Sequence, residues 1–320
     1  MNNFPEYDEK SRSPQTLEQV IALFKQKPLR FAPGEKYEYS NSNYNLLAFV
    51  IEKASGESFG EFLRKNIFAP LGMNHTGHPR AGQLLQDRAS GYVPAGLRDV
   101  ENAPYLDWSI KTGNGSLYAT VDDLYRWDRA LYGDQLLNRT SRDKMFAAHT
   151  EGVGYGWFLR KRFNRRTTGF GGRSPGFTSA LERYVDDDVC IVLTSNVYSS
   201  LTQNMAQDLA AIVFGESYQV PKLDTSSSLA PALLERYAGH YRFGQDFVFN
   251  PGLAVSVERS SDNLVMRMAD GGESFLLPQS ENAFLDRAYG GRVTFVRGAD
   301  GAVTHFTWNF GRDYVAQRVP

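Results

Sequence analysis

Apolar and polar positions divide this chain into two textures. From residue 1 to about 220, helical and extended patterns alternate. Leu46, Leu47, Phe49, Val50 and Ile51 predict a helix apolar enough to be largely buried. After Gly56 a second helix is expected from Ser58, with Phe59, Phe62, Leu63 and Ile67 at helical spacing and a stop before Pro70. Residues 77–112 show no period, are rich in Gly, Pro and polar side chains, and predict an irregular segment bordering a cleft. Thr120 to Leu131 reads as an amphipathic helix, with Leu124, Trp127 and Leu131 on one face and Thr120 and Asp123 as a capping pair. Thr178 to Tyr184 and Val189 to Asn196 predict adjacent strands joined across Asp186-Asp187-Asp188. That acidic run is expected to be a solvated turn, because no histidine or further acid is patterned around it to hold a metal.

Pro221 to Pro231 contains Thr225-Ser226-Ser227-Ser228 and reads as a linker. Beyond it the texture changes to short alternating strands. Val293, Phe295 and Arg297 precede a turn at Gly298 to Gly301. Val303, His305 and Thr307 then alternate with Thr304, Phe306 and Trp308. Asp270-Gly271-Gly272 marks another tight turn. The expected organisation is an α/β region over 1–220, a linker over 221–231 and a small all-β barrel or sandwich over 232–320.

Composition narrows the classes. With 42% hydrophobic and 22% charged residues in 320, the chain is that of an ordinary globular protein with room for a large core. Lys plus Arg (35) nearly balances Asp plus Glu (36), which argues against nucleic acid or an anionic membrane as an obligate partner. No stretch approaches the roughly 20 apolar residues of a membrane span, and the first residues have neither the basic nor the apolar region of a signal peptide. Cys190 is the only cysteine, so no intramolecular disulfide forms. Its apolar strand raises rather than lowers a thiol pKa, which makes it a core thiol.

The chemistry centres on Tyr39-Ser40-Asn41, set in Phe31-Ala32-Pro33-Gly34-Glu35-Lys36-Tyr37-Glu38-Tyr39-Ser40-Asn41-Ser42-Asn43-Tyr44. Three further stretches follow in order: Ser55-Gly56-Glu57-Ser58-Phe59 with Phe68-Ala69-Pro70-Leu71-Gly72-Met73, then Gly115-Ser116-Leu117-Tyr118-Ala119-Thr120, then Gly169-Phe170-Gly171-Gly172-Arg173-Ser174-Pro175-Gly176-Phe177. Together they resemble the β-lactamase-like serine hydrolases: class C β-lactamases, penicillin-binding DD-peptidases and their esterase relatives. The resemblance implies an α/β (α+β) β-lactamase/penicillin-binding-protein-like domain that hydrolyses a small-molecule ester, β-lactam or peptide amide through an acyl-serine, without a cofactor. It makes Tyr39 the general acid/base candidate and Asn41 the group orienting substrate or lysine. Where relatives carry histidine or lysine on the cleft strand, this chain has Phe170, which neither donates a hydrogen bond nor carries charge. Gly171, Gly172 and the backbone N–H near Arg173 are left as the substrate and oxyanion edge. Taken alone, both motifs also fit a structural turn and a plain edge strand. The residues after Pro231 resemble the lipocalin-like domain appended to many such hydrolases, with Tyr237-Ala238-Gly239-His240-Tyr241 as its first strand. Relatives of this family are mostly periplasmic or secreted.

The family's Ser-x-x-Lys nucleophile precedes its tyrosine motif, and none of the 38 residues before Tyr39 supplies it. The expectation is a hydrolase fold lacking its N-terminal nucleophile segment, inert as this chain. Two alternatives stand beside it: a non-catalytic binding protein that keeps the cleft, and a hydrolase with an unrecognised nucleophile, Ser58 or Ser141. Several matches are decoys. Ser141-Arg142-Asp143-Lys144 fits Ser-x-x-Lys, but 24 serines and 10 lysines give roughly one chance match, and it follows Tyr39. Lys111-Thr112-Gly113 and Ser261-Asp262-Asn263 lie in the wrong contexts. Gly56-Glu57-Ser58-Phe59-Gly60 follows a helix, so Ser58 with Glu61 reads as a capping box rather than a nucleophile elbow. The five histidines show no ligand spacing.

Overall fold

The computed structural model describes residues 7–80, 82–96, 99–150, 152–218, 229–247, 250–269, 272–309 and 312–320. The first elements are helical: α1 (Tyr7–Lys10), α2 (Leu17–Ala22), α3 (Asn41–Ser55) and α4 (Phe59–Leu63), the last running on into a π-helical turn at Arg64–Phe68. Local chemistry sets their ends. Thr16 caps α2 in a full capping box, its hydroxyl accepting from Gln19 N while Gln19 Oε1 accepts from Thr16 N. Gly56 ends α3 at φ 72°, and its N–H donates to Glu52 O. Ser58 Oγ accepts from Glu61 N at 3.4 Å, but the Glu61 carboxylate turns to Arg64, so only half of that box forms.

These helices share one small core of Leu17, Ala48, Phe59, Leu63, Phe68 and Met73. α3 departs from expectation. Asn45 and Ala48 are its buried residues, whereas Leu46, Leu47 and Val50 are exposed. Its apolar residues run round the helix, and only one side of it meets packed neighbours.

The segment 77–112, expected to be irregular, contains a two-stranded antiparallel ribbon of β1 (Tyr92–Ala95) and β2 (Asp99–Asn102). Pro94 obscures β1 in the sequence. A proline is tolerated there because a two-stranded ribbon has free edges.

After α5 (Val121–Ala130) and α6 (Arg139–Met145) comes an antiparallel sheet of β3 (Phe158–Arg162), β4 (Arg165–Ser174), β5 (Phe177–Tyr184) and β6 (Val189–Ser195), in that spatial order. Pro175 and Gly176, the latter at φ 83°, turn β4 into β5, the residue choice of a type II turn. The acidic turn between β5 and β6 is tied down rather than simply solvated. Asp186 pairs with Arg166, Asp187 with Arg165 and Asp188 with Arg129, at 2.7, 3.0 and 2.5 Å. α5 is fastened to the sheet by a buried ion pair between Asp128 and Arg183, and Asp128 also accepts from Arg129. On β6, burial pushes the Cys190 thiol up to about 12.

α7 (Leu201–Phe214) lies on β5 and β6, where Ala206 and Ala210 admit close approach to Ala180, Tyr184 and Ile191. Most of the expected linker, residues 221–228, and the turn residues 270 and 271 fall outside the described residues. Pro231, read as the linker's end, opens α8 (Pro231–Tyr237), and Tyr237 closes that helix instead of beginning a strand. Proline at the first helical position loses no hydrogen bond, which is why it starts a helix here.

β7 (Gly239–Phe243), β8 (Ala254–Ser260), β9 (Asn263–Met268), β10 (Glu273–Pro278), β11 (Ala283–Asp286), β12 (Arg292–Arg297), β13 (Val303–Asn309) and β14 (Asp313–Val319) form a closed antiparallel barrel. Its interior is filled with interlocked rings: Tyr237 on Phe295 at 4.4 Å, Phe243 on Phe247 at 4.0 Å, Phe306 against Tyr241 at 5.0 Å. Among the described residues no helix is long and apolar enough to cross a membrane, and no group of His, Cys, Asp or Glu is placed to hold a metal.

Candidate functional site

Tyr39 ends the extended stretch before α3, Ser40 is the N-cap residue, and Asn41 is the first helical position. This places Tyr39 and Asn41 side by side, with Tyr39 Oη donating to Asn41 Oδ1 at 3.0 Å and the tyrosine ring 5.7 Å from Tyr44. Burial, and then the charges of Tyr44 and Tyr37, hold the Tyr39 phenol above its ordinary pKa.

Facing the same groove is β4. Phe170 is half-buried and packs edge-on against Trp157 at 5.1 Å, in a cluster with Leu131 and Leu181. Gly171 leaves room for Gln203: a Cβ there would stand 2.3 Å from Gln203 Nε2. Gly172 lies beside Ser179 Oγ. The Arg173 guanidinium is sandwiched between the rings of Tyr198 and Tyr289, at 4.1 and 4.4 Å, and its Nη2 reaches the Ala288 carbonyl at 3.5 Å.

Tyr39, Asn41 and Phe170 to Arg173 thus line one groove although about 130 residues separate them. Its volume of about 4150 Å³ is several times the roughly 300–1,000 Å³ of a closed small-molecule site. It is an open trough into which β4, the start of α3 and the barrel residues Ala288 and Tyr289 all project.

The floor of the trough was not legible in the sequence. Asn45, buried in α3, donates to Thr112 O at 2.7 Å and accepts from Asn114 Nδ2 at 2.8 Å. Gly113, at φ 88°, sits where a Cβ would be 2.4 Å from Tyr44 O, so the loop can lie flat on α3. Ser174 Oγ donates to Gly115 O at 3.2 Å and joins the same loop to β4. Thr112 gives its one hydroxyl proton to Ser109 O, so His78 Nε2, 3.0 Å from that hydroxyl, is the donor to it. Burial lowers the His78 pKa, in keeping with a neutral ring. Lys111 also lines the trough, 5.7 Å over the Tyr7 ring, and burial pushes its amine below the ordinary value. The available signal was an asparagine placed directly before an apolar helical run, since a buried amide needs partners.

The remaining serine candidates lie elsewhere. Ser58 caps α4, and Ser141 is in the first turn of α6, where its N–H donates to the cap residue Asn138. Neither lines the trough. Lys111-Thr112-Gly113 belongs to the trough floor, and Ser261-Asp262-Asn263 turns β8 into β9.

Comparison with known proteins agrees with this geometry. A family described as Beta-lactamase matches residues 2–215. "Penicillin-binding protein 4*" of Bacillus subtilis (strain 168) is 30% identical over 313 residues, covering 90% of this chain and 68% of the relative. A "D-aminopeptidase" of Gluconobacter oxydans (strain 621H) is 30% identical over 222 residues, 66% of this chain and 41% of that protein. The chain thus spans about two thirds of the first relative's length and well under half of the second's. Among solved structures, the octameric penicillin-binding protein homologue from Pyrococcus abyssi superposes with a TM-score of 0.56 at 22% identity, covering 94% of this chain and 70% of that one, a likeness of fold. With its motifs in order, a matched family over two thirds of its length and a shared fold, the chain belongs to the Beta-lactamase family of serine hydrolases and penicillin-binding proteins.

Proposed function

We propose that this chain provides the substrate-side walls of an acyl-transfer site, accepting a small ester, β-lactam or peptide amide, and that it forms no acyl-enzyme by itself. The observation that carries this reading is the shared trough of Tyr39-Asn41 and Phe170 to Arg173, in a sequence with no Ser-x-x-Lys ahead of Tyr39. A serine hydroxyl attacks only when a neighbouring base takes its proton. Tyr39 serves that relay when a cation lowers its pKa; here burial raises it and its hydroxyl proton is committed to Asn41. Asn41 and the β4 backbone would then orient a carbonyl, with a backbone N–H near Arg173 as one oxyanion donor. The names of the relatives, a penicillin-binding protein and a D-aminopeptidase, support a ligand of the β-lactam or peptide-amide class.

A non-catalytic ligand-binding role is the second reading, and Phe170 favours it. A phenyl packed on Trp157 replaces a polar cleft residue at the position where the resemblance calls for histidine or lysine. Both readings include a division of the chain at 221–231. Both treat the lipocalin-like barrel as a support, because its interior is occupied by its own side chains.

The test is direct. The purified chain is incubated with a chromogenic cephalosporin, a p-nitrophenyl ester and a fluorophosphonate probe, while binding of a β-lactam or a D-amino-acid amide is followed by calorimetry. Binding that weakens at least tenfold in Asn41→Ala, without turnover or labelling, is the expected result. Covalent labelling of any serine sinks the claim of inertness, and absence of binding to every ligand sinks the claim of a working cleft.

A further inference from the structure

The two edges of the four-stranded sheet differ in kind. β3 carries Arg160, Lys161 and Arg162 in succession, the charged edge by which proteins discourage strand addition. β6, at the opposite edge, reads Val189-Cys190-Ile191-Val192-Leu193-Thr194-Ser195. It has no charge and no proline, and its register with β5 runs unbroken from Val189 to Ser195 without a bulge. β1 reaches this chain segment only past the end of β6, where Tyr92 bridges Val197. Among the described residues, then, β6 has a strand partner on one side and none of the devices that protect an edge.

A second unpartnered surface adjoins it. α7 turns Thr202, Ala206 and Ala210 to the sheet. Its flank bearing Gln203 faces β4, and Leu201 and Asn204 approach Gly290 of the barrel. At 100° per residue, Met205, Leu209 and Ile212 lie on the flank opposite Gln203 and Gln207, and therefore overhang β6. They are exposed, at 58%, 40% and 52%, as is Val213 beside them. The only charged residue of this helix is Asp208.

We infer that β6 and the Met205–Leu209–Ile212 stripe form the dimer interface for a second copy of this chain. β6 pairs antiparallel with its counterpart across a two-fold axis normal to the sheet, giving one continuous eight-stranded sheet. That axis keeps both copies of α7 on the same face, so stripe meets stripe over the seam. A two-fold sets each residue near its own copy, where like charges repel. The uncharged edge and stripe satisfy this condition, and the tri-cationic β3 edge violates it. The interface joins main-chain hydrogen bonds to apolar burial, as strand addition does elsewhere. Pairing consumes the β6 edge of each copy, so assembly closes at two.

Sedimentation velocity of the full chain over a range of concentrations, with amide hydrogen exchange on the same samples, tests this. A monomer–dimer equilibrium is expected, with the Cys190–Thr194 amides slowing as concentration rises and those of Leu159–Lys161 unaffected. Thr194→Lys on the edge and Met205→Glu on the stripe are both at exposed positions, so the fold, checked by circular dichroism, persists. Each should weaken association at least tenfold, whereas Arg160→Glu should not. A chain that stays monomeric at every concentration overturns the inference. So does a dimer indifferent to both variants, or a mass that grows beyond two.

Discussion

The barrel and the open sheet solve the same problem with unequal success. The barrel pairs every strand on both sides and packs about twenty buried residues into one cluster, with Tyr237, Tyr241, Phe284, Phe295 and Phe306 in mutual ring contact. The region from Tyr7 to Tyr218 divides its core among three smaller clusters and leaves Leu46, Leu47, Val50, Met205, Leu209, Ile212 and Val213 exposed. Closure protects edges and concentrates burial. The open sheet keeps a functional trough but also keeps apolar surface that favours association. The molecule should therefore behave as two bodies of different stability.

The largest effect expected is two separable unfolding transitions, the sheet region melting first and associating as it does. Limited proteolysis should degrade that region and spare a fragment beginning close to α8. A single cooperative transition, with the sheet region as protease-resistant as the barrel, would break the comparison.

Matched core mutations sharpen it. Phe295→Ala removes a fully buried ring that touches Tyr237, Tyr241, Phe284 and Phe306 and should cost about 3–5 kcal/mol. Asp128→Ala leaves Arg183 buried without its partner, at a cost on the order of 3–5 kcal/mol. The first should lower only the upper transition and the second only the lower. If calorimetry shows both transitions moving together in either variant, the two regions are energetically one.

Asp286 gives the barrel a pH signature. It is fully buried at the end of β11, and its Oδ1 accepts from Ser274 Oγ, Ala288 N and Tyr289 N. Burial nevertheless outweighs those donors and the nearby Arg173, raising its pKa to about 6. The folded barrel therefore holds this proton more tightly than the unfolded chain. The resulting stability is complete below the unfolded value near pH 4 and is lost as pH rises through about 6, roughly 3 kcal/mol at most. In Asp286→Asn that loss should vanish, so the variant gains on the wild type between pH 4 and 6.5. A difference in the upper melting temperature that does not change with pH would refute it.

What the sequence revealed and what it hid follow from the range of the interactions. The β5–β6 pair and the β12–β13 hairpin were readable because alternation and turn residues are local signals. The motif Tyr39-Asn41 and the strand from Phe170 to Arg173 were readable through family resemblance, although what brings them to one trough is the loop at Thr112–Gly115, docked by Asn45 and Ser174. That loop gave no periodic signal. The β1–β2 ribbon was hidden by Pro94, and α8 by the polar run before it. Apolar residues in α3 predicted burial that no neighbour provides, since a pattern reports what a surface is suited to and not whether it is covered. The clamp on Arg173 by Tyr198 and Tyr289 joins three distant segments and has no counterpart in local pattern.

The smallest effects expected concern the two serines proposed as stand-in nucleophiles, and they separate a structural from a chemical role. Ser58 Oγ accepts the Glu61 N–H at the start of α4, so Ser58→Ala should cost about 1 kcal/mol and lower only the sheet-region transition. Ser141 contributes its N–H, not its hydroxyl, to the Asn138 cap, so Ser141→Ala should fall within about 0.5 kcal/mol of the wild type. Neither substitution should alter ligand binding in the trough, because neither residue lines it. Thermal denaturation and calorimetric titration of the two variants, run side by side, decide the matter. A stable Ser58→Ala variant that loses ligand binding would mean that α4 acts in the chemistry of the trough rather than only in the architecture beside it.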